Sequence, residues 1–502
     1  MTSKIEIQGL CEPRFEAVKD AFSLNFAEEM EVGASFAVMI NGEYVIDIWG
    51  GYKEPEKTHL WEKDTICNVY STTKVPTVLC TMMCVDRGLL DLDEKVATYW
   101  PEFAQNGKEN ILVRQIFSHT SGLAGIDETI PWSAWYDWDK IINLLAAQKP
   151  WWEPGTKSGY HAVTHGFLLG ELVKRVSGKS LGTFFKEEIA KPLNIDFHIG
   201  LPETEIPRVS NLIPAAPLIE MTTLIFGIIT KIANKSEIIK KEIKNLEKSI
   251  ELNFVDQRTF WVVIRDNKII FKEKKIENPP DCKFTIAKDK AGAIFWLFSK
   301  DNEQADFIST NLKIEGSSED IVIIKNLFEL IAIEVRKMDS PALKQSLNHI
   351  FYEDRSSERL WQTSEIPAAN GQGNARSVAK IASIIACEGE LDNIRFLSKD
   401  TVEKMLEEQI YDTDLVLQTP VRFGLGVGLK STLNQFPNDR TCYWGGFGGS
   451  AITMDLDDKI GIGYVMNQMR NQPMLETMSN KYHSDSRGNR LITAVFESLD
   501  LI

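Results

Sequence analysis

No stretch of this 502-residue chain is apolar for long enough to cross a bilayer. The longest apolar run lies between Met221 and Ala233, with Glu220 before it and Lys231 inside it. A spanning helix needs about 20 apolar residues, so no transmembrane segment is expected and a buried helix is the expected fate of this run. Positive charge is also short. Lys and Arg total 56 against 71 Asp and Glu, a net charge of -15. A nucleic-acid partner needs a basic footprint and is excluded on that ground. Paired-cysteine motifs are missing. The seven cysteines (Cys11, Cys67, Cys80, Cys84, Cys282, Cys387 and Cys442) are odd in number and scattered, with only Cys80 and Cys84 at helical spacing. Free, buried thiols in a reducing compartment are the simplest reading. The opening Met1-Thr2-Ser3-Lys4-Ile5-Glu6 has no apolar signal core. A cytoplasmic protein is therefore expected.

Proline and glycine fade from the middle of the chain. Between about Lys235 and Lys337 only Pro279, Pro280, Gly292 and Gly316 remain, and Ile, Lys and Glu dominate. The patterning there predicts a helix (Ser236 to Lys248), then strands at Ile250 to Val255, Thr259 to Arg265, Lys268 to Lys274 and Lys283 to Ala287. A helix (Lys290 to Ser299), a strand (Asn311 to Glu315) and a last helix (Glu319 to Met338) follow. Prolines flank the segment at Pro214, Pro217 and Pro341, as expected of a domain inserted at a tolerant loop.

Outside that segment the pattern is different. Two β-rich runs flank Asn41-Gly42, which predicts a hairpin over Gly33 to Gly51, with a helix (Glu12 to Glu29) before it. Late strands are expected at Arg440 to Tyr443, Ala451 to Asp455 and Ile460 to Met466, then a helix from Gly488. An early hairpin and late strands imply one sheet closed by both chain ends, with a helical part between them.

Ser71-Thr72-Thr73-Lys74 places a hydroxyl and an amine three residues apart. On a helix starting near Ser71 and running through Arg87, with Gly88 as its cap, they share a face, which supplies a nucleophile and a base without histidine. The spacing recurs at Ser377-Val378-Ala379-Lys380, so it does not select a site by itself. Gly159-Tyr160-His161-Ala162 adds a phenol, whose pKa a neighbouring ammonium would lower. Trp444-Gly445-Gly446-Phe447-Gly448-Gly449-Ser450 adds a glycine turn that could offer N–H groups to an oxyanion. His119, in Ser118-His119-Thr120-Ser121-Gly122-Leu123, could pass for a triad histidine but reads better as part of a structural loop.

Taken in chain order, these motifs resemble those of the serine β-lactamase-like superfamily, most nearly the family VIII carboxylesterases related to class C β-lactamases. The resemblance covers nearly all of residues 1–215 and 340–502. It implies a β-lactamase/transpeptidase-like fold of mixed α+β and α/β character. The domain limits are then 1–217 and 339–502 for the hydrolase and 218–338 for the insertion. It implies a serine ester hydrolase, with an acyltransferase or a lipid-carrying scaffold as alternatives. Ser71 would be the acylated nucleophile, Lys74 its activating partner and Tyr160 the general base and acid. The backbone N–H groups of Ser71 and Phe447 would form the oxyanion hole, and Trp444, Gly445 and Gly446 would line the substrate cleft. Trp444 stands where class C β-lactamases carry the lysine of K-T-G, and Ala162 where they carry the asparagine of Y-x-N. Both departures point to small-molecule esters rather than β-lactams.

The inserted segment is similar to the lipid-binding domain of sterol carrier protein type two, best at Leu312-Lys313-Ile314-Glu315-Gly316 and the helix after it. That resemblance implies a fatty acyl or sterol-like ligand. Other motifs are read as structural. Gly178-Lys179-Ser180-Leu181-Gly182 follows a helix and not the strand a nucleophile elbow requires. His161 and His165 lack the glutamate and third ligand of a zinc site, and are read as part of an apolar helix that Tyr160 opens. Gly424 to Gly428 has the wrong spacing for a dinucleotide loop and reads as a strand. No metal and no cofactor is expected.

Overall fold

Asn41 and Gly42 both take positive φ, 52° and 84°, which matches the twist of a two-residue hairpin. They join β2 (Gly33–Ile40) to β3 (Glu43–Gly51), and β1 (Gln8–Cys11) pairs with the outer edge of β3. The structure, a computed structural model, describes residues 5–128, 130–215, 226–227, 229–255, 259–286, 312–337, 340–346, 355–470 and 480–502. Six more strands complete the sheet: β4 (Ile410–Thr413), β5 (Pro420–Phe423), β6 (Gly428–Leu429), β7 (Thr441–Gly445), β8 (Ala451–Asp455) and β9 (Ile460–Met466). Their order is β1-β3-β2-β9-β8-β7-β6-β5-β4, antiparallel throughout. The closure expected between the two chain ends is the β2–β9 pairing, from Ala34 opposite Met466 to Ile40 opposite Ile460.

Helix α1 (Glu16–Ala27) packs on α5 (Ser486–Ser498), and α4 (Ala375–Ala386) lies across β9 and β2. The helical part is led by α2 (Lys74–Asp86) and α3 (Thr164–Ser177), which pack together. Gly88, at φ 69°, ends α2, and Gly178, at φ 73°, ends α3, both as the sequence suggests. A small four-stranded sheet holds Ile66–Asn68 between Gln372–Gly373 and Val209–Ser210, and this short strand feeds directly into Ser71.

The chain divides into two compact units. One comprises Met1–Ile126, Ser133–Pro214 and Arg355–Ile502; the other comprises Asp127–Trp132 and Ala215–Asp354. The second unit has its own five-stranded sheet, in the order Leu312–Gly316, Cys282–Ile286, Lys248–Phe254, Thr259–Arg265, Lys268–Lys272. Phe260, Phe284, Ile324 and Phe328 help fill its core. The described part of the Met221 to Ala233 run places Phe226, Ile229 and Ala233 in the same core. The helix expected from Ser236 to Lys248 is shorter, Glu237–Glu242. Asn245 takes a left-handed φ of 64° and ends it, so Lys248 already opens a strand. The helix expected over Lys290 to Ser299 lies outside the described residues.

Alternate positions of β9 face α4, and two of them are glycine. A Cβ on Gly463 would lie 2.3 Å from the Ala375 carbonyl oxygen, and one on Gly461 would lie 2.8 Å from that of Ala379. The helix backbone occupies the space a side chain would need. Gly463→Ala should therefore cost about 1–3 kcal/mol, as overpacking does, read as a lower urea midpoint. An unchanged midpoint would show that α4 can move away freely.

Candidate active site

Ser71 sits at a bend that the chain is forced to make. Tyr70, just before it, takes a φ of 43°, a sparsely populated region for a bulky residue. The bend is held from several sides. Val69 N–H donates to Gly371 O (2.9 Å), Thr72 N–H to Val69 O (3.2 Å), and the Thr73 hydroxyl to Tyr70 O (2.5 Å). The Tyr70 ring packs against Trp361 and edge-on against Phe447. Ser71 does not lie in an α-helix, as the spacing suggests, but in a 3-10 turn, Tyr70–Thr73, that runs into α2. Residues three apart eclipse in such a turn. Lys74 Nζ therefore stands 3.0 Å from Ser71 Oγ.

Lys74 is fully buried. Its amine has three contacts: Ser71 Oγ, Ala162 O at 2.6 Å and Ala368 O at 3.0 Å. None is a carboxylate, and burial holds the Lys74 pKa well below the ordinary lysine range. A neutral amine has two N–H donors and one lone pair. All three contacts accept from the amine; if it gives up one proton, the two carbonyls keep the remaining donors and the lone pair faces Ser71 Oγ.

Tyr160 completes the group, with its phenol donating to Ser71 Oγ at 2.7 Å. It does not open a helix. It lies in an extended segment ahead of α3, which begins at Thr164. The expected lowering of its pKa is also reversed. Burial pushes the phenol up to about 12, hydrogen bonds with Ser71 and the Trp444 indole pull the other way, and the Asp414 charge adds to the rise. Lys74, whose own pKa burial depresses, is not among the groups that lower it. The phenol is thus a proton donor in the resting site.

The glycine turn docks on the Ser71 bend. Trp444 and Gly445 end β7, Gly446 N–H donates to Ser450 O at 2.8 Å, and Phe447 follows. The Ser450 hydroxyl donates to Val69 O (2.8 Å) and lies 2.9 Å from Thr72 Oγ1. A Cβ on Gly446 would lie 2.1 Å from both Val69 O and Ser450 Oγ. Only glycine permits this approach, which carries Phe447 to the Ser71 side of the cleft. The sequence reading missed what lies beneath. Arg487, on α5, is fully buried and donates to Gly448 O at 2.9 Å, while Glu31 (3.0 Å) and Asp485 (2.8 Å) balance its charge. The one local signal for this network is Asp485 at the N-cap of α5.

His119 is not a triad member. It takes a φ of 61°, and its ring packs 4.4 Å from His165, 5.2 Å from Tyr160 and 5.6 Å from Trp444. Its Nδ1 accepts the His161 backbone N–H at 3.1 Å. His161 donates from Nδ1 to Gly159 O (2.6 Å) and accepts at Nε2 from Leu123 N–H (3.2 Å) and the Ser121 hydroxyl (2.7 Å). The other motifs read as structural take structural contacts. Ser180 caps Leu181–Phe185 and bonds Glu365, Ser377 Oγ accepts the Asp196 N–H, and Lys380 pairs with Asp392. The strand expected over Gly424 to Gly428 is present only at Gly428, where β6 begins; Gly424 to Val427 form a loop. Gly426 takes a φ of 73°, and Gly424 N–H closes on Val427 O as the loop between β5 and β6.

Burial keeps all three histidines neutral, with His161 down at about 3 and His119 and His165 also well below the usual value. Their folded values are depressed, so the unfolded chain binds protons first as pH falls. Stability is therefore complete above the unfolded value near 6.5 and declines below it, by about 1.4 kcal/mol per pH unit for each histidine. Urea unfolding at pH 7 and pH 5.5 should show this loss, and His165→Asn should make it shallower. Equal slopes in the two proteins would remove His165 from the account.

Among curated proteins, the chain is similar to LipL, an esterase/beta-lactamase of Mycobacterium tuberculosis, with 36% identity over 207 residues, 41% of this chain and 48% of that protein. It is similar to the esterase EstB of Burkholderia gladioli, with 28% identity over 200 residues, 36% of this chain and 50% of that one. The chain thus spans about half the length of the curated relatives it matches. Among solved structures, a family VIII carboxylesterase matches at 30% identity and a TM-score of 0.66, covering 98% of this chain and 100% of its own. A penicillin-binding protein homologue from Caulobacter crescentus matches at 26% identity and a TM-score of 0.68, with the same coverage. The model of the Beta-lactamase family matches residues 22–221 and 331–480. That match spans both sides of the β2–β9 closure and every segment that carries Ser71, Lys74, Tyr160 and Trp444, and this chain is a member of the Beta-lactamase family.

Proposed function

We propose that this protein is a serine ester hydrolase of the carboxylesterase type, acting through an acyl-enzyme on Ser71. The observation that carries the reading is the convergence of Lys74 Nζ and the Tyr160 phenol on Ser71 Oγ, at 3.0 and 2.7 Å. Ser71 Oγ attacks the ester carbonyl carbon while its proton passes to the Lys74 lone pair. The carbonyl oxygen becomes an oxyanion beside the backbone N–H groups of Ser71 and Phe447. When the carbon–oxygen bond to the alcohol breaks, Tyr160 gives its proton to the departing alkoxide, and the proton held on Lys74 restores the phenol. Water then attacks the acyl-Ser71 carbonyl by the same route in reverse, the acid leaves, and Ser71 regains its proton.

The esterase names of the relatives and the neutral lining of the site support an uncharged ester as substrate. Trp444 stands where a β-lactamase presents a cation, so nothing at that position attracts the carboxylate of a β-lactam. The departing alcohol could also be replaced by a second alcohol in place of water. Product analysis with added methanol separates hydrolysis from acyl transfer.

A second proposal concerns the other unit alone. Between its sheet and the helix Ser318–Arg336 lies a small apolar cavity of about 20 Å³, lined by Phe226, Ile250, Val262, Leu327, Phe328 and Ile331. The lining has the apolar character that a fatty acyl or sterol-like ligand needs, and such a ligand would have to part this core to enter. Native mass spectrometry of the purified protein would show the added mass; a bare protein after incubation with oleate would count against it.

The main reading is tested on p-nitrophenyl acetate. Ser71→Ala should lose more than about 1,000-fold in kcat, and Tyr160→Phe about 100- to 1,000-fold, on the usual scale of nucleophile and general-acid losses. A fluorophosphonate probe should label Ser71. Full activity in Ser71→Ala, or labelling elsewhere, would end the proposal. Because the active amine is neutral and its pKa is depressed, activity should persist at pH values where an ordinary lysine is protonated, and should fall on the acid side as Lys74 takes a proton. An acid limb at the ordinary lysine value would contradict that assignment.

A further inference from the structure

Tyr160 lies in a segment without helix or sheet, yet its phenol must stay on Ser71 Oγ to within a few tenths of an ångström. What holds the segment is a carboxylate at the end of β4. Asp414 is fully buried, and its carboxylate accepts four hydrogen bonds. Oδ1 takes the backbone N–H of Tyr160 at 3.0 Å and those of Val416 and Leu417 at 2.8 Å each. Oδ2 takes the Ser158 hydroxyl at 2.6 Å. Leu415 N–H closes the arrangement on Ser158 O at 2.8 Å. On the opposite edge the neighbouring N–H groups go to His119: Gly159 N–H to its carbonyl at 3.0 Å and His161 N–H to its Nδ1 at 3.1 Å. Successive residues of an extended chain point their N–H groups to opposite sides, so the two partners grip the segment from both edges.

We propose that Asp414 is the positioning residue for Tyr160, the outer half of a clamp whose inner half is His119. The carboxylate is suited to this because four donors converge on two oxygens, which between them offer about four lone pairs. It bonds neither Ser71 nor the phenol oxygen, so it acts chiefly through the place it gives to the phenol, its charge adding a minor rise to the Tyr160 pKa. The inference rests on the ester-hydrolase reading above.

The variants Asp414→Asn and Asp414→Ala decide it, with p-nitrophenyl acetate as substrate and kcat expressed per titrated Ser71. Asparagine keeps an oxygen for the three N–H groups, and its amide can donate to Ser158, so kcat should stay within about threefold of wild type. Alanine strands three N–H groups and a hydroxyl, and kcat should fall about 10- to 100-fold with KM little changed, the usual result of misplacing a catalytic group by about an ångström. A residue that only supports the fold would lower the thermal midpoint without lowering kcat per titrated site. An alanine variant that keeps its kcat, or an asparagine variant that loses as much as alanine, overturns the proposal. Should the alanine variant fail to fold, Ser158→Ala removes one arm of the clamp and should still lower kcat several-fold; no change would overturn the proposal equally. The underlying reading fails separately, if wild type shows no turnover that Ser71→Ala abolishes.

Discussion

The burial of Lys74 without a counter-charge governs the site. An ammonium placed there would meet two backbone carbonyls and a hydroxyl, with no carboxylate among its contacts. The cost of desolvating a cation favours the neutral amine, and the two carbonyls orient what remains. Burial thus moves the Lys74 amine toward the form that the proposed base at Ser71 Oγ would need. The same loss of water keeps the Tyr160 phenol protonated and the three histidines beside it neutral. Burial moves the lysine and the phenol in opposite directions, as the proposed base and acid roles require.

The rest of the first unit serves to keep that pocket closed and aligned. The β2–β9 pairing ties the two chain ends into one sheet, and β7 of that sheet delivers the glycine turn to the Ser71 bend. Arg487 braces the turn from beneath, and Asp414 and His119 hold the Tyr160 segment from its two edges. These supports lie far apart along the chain. Their shared feature is that each satisfies backbone groups in stretches where neither helix nor sheet does so.

Legibility in the sequence followed the range of the interaction. The Asn41-Gly42 hairpin, the Gly88 and Gly178 helix ends, the late strands and the capping role of Ser180 rest on neighbours within a few residues, and all could be read in advance. The motif residues Ser71, Lys74 and Tyr160 were legible as residue types in a known order. What was misread depended on contacts made elsewhere. The 3-10 turn at Ser71 is set by Gly371 and the packing of Tyr70, and the Gly424 to Val427 loop by the close approach of Gly426 to Val78 and the bond from Leu425 N–H to Met405 O. Asp414 and Arg487 carry no motif at all, since an isolated acid in a loop and an arginine on a final helix look like surface residues until burial is known.

By itself, then, the sequence determined which reactive groups exist, their order, and the local turns that glycine and asparagine impose, because these follow from covalent structure and short-range sterics. It also placed a change of composition in the middle of the chain. Only the tertiary structure decided the downward shift of the Lys74 pKa and the upward shift of the Tyr160 pKa, the convergence of both groups on Ser71 Oγ, and the inclusion of Asp127–Trp132 in the second unit. Those properties depend on which groups exclude water from which others, and burial is fixed by packing between residues that the chain order keeps far apart.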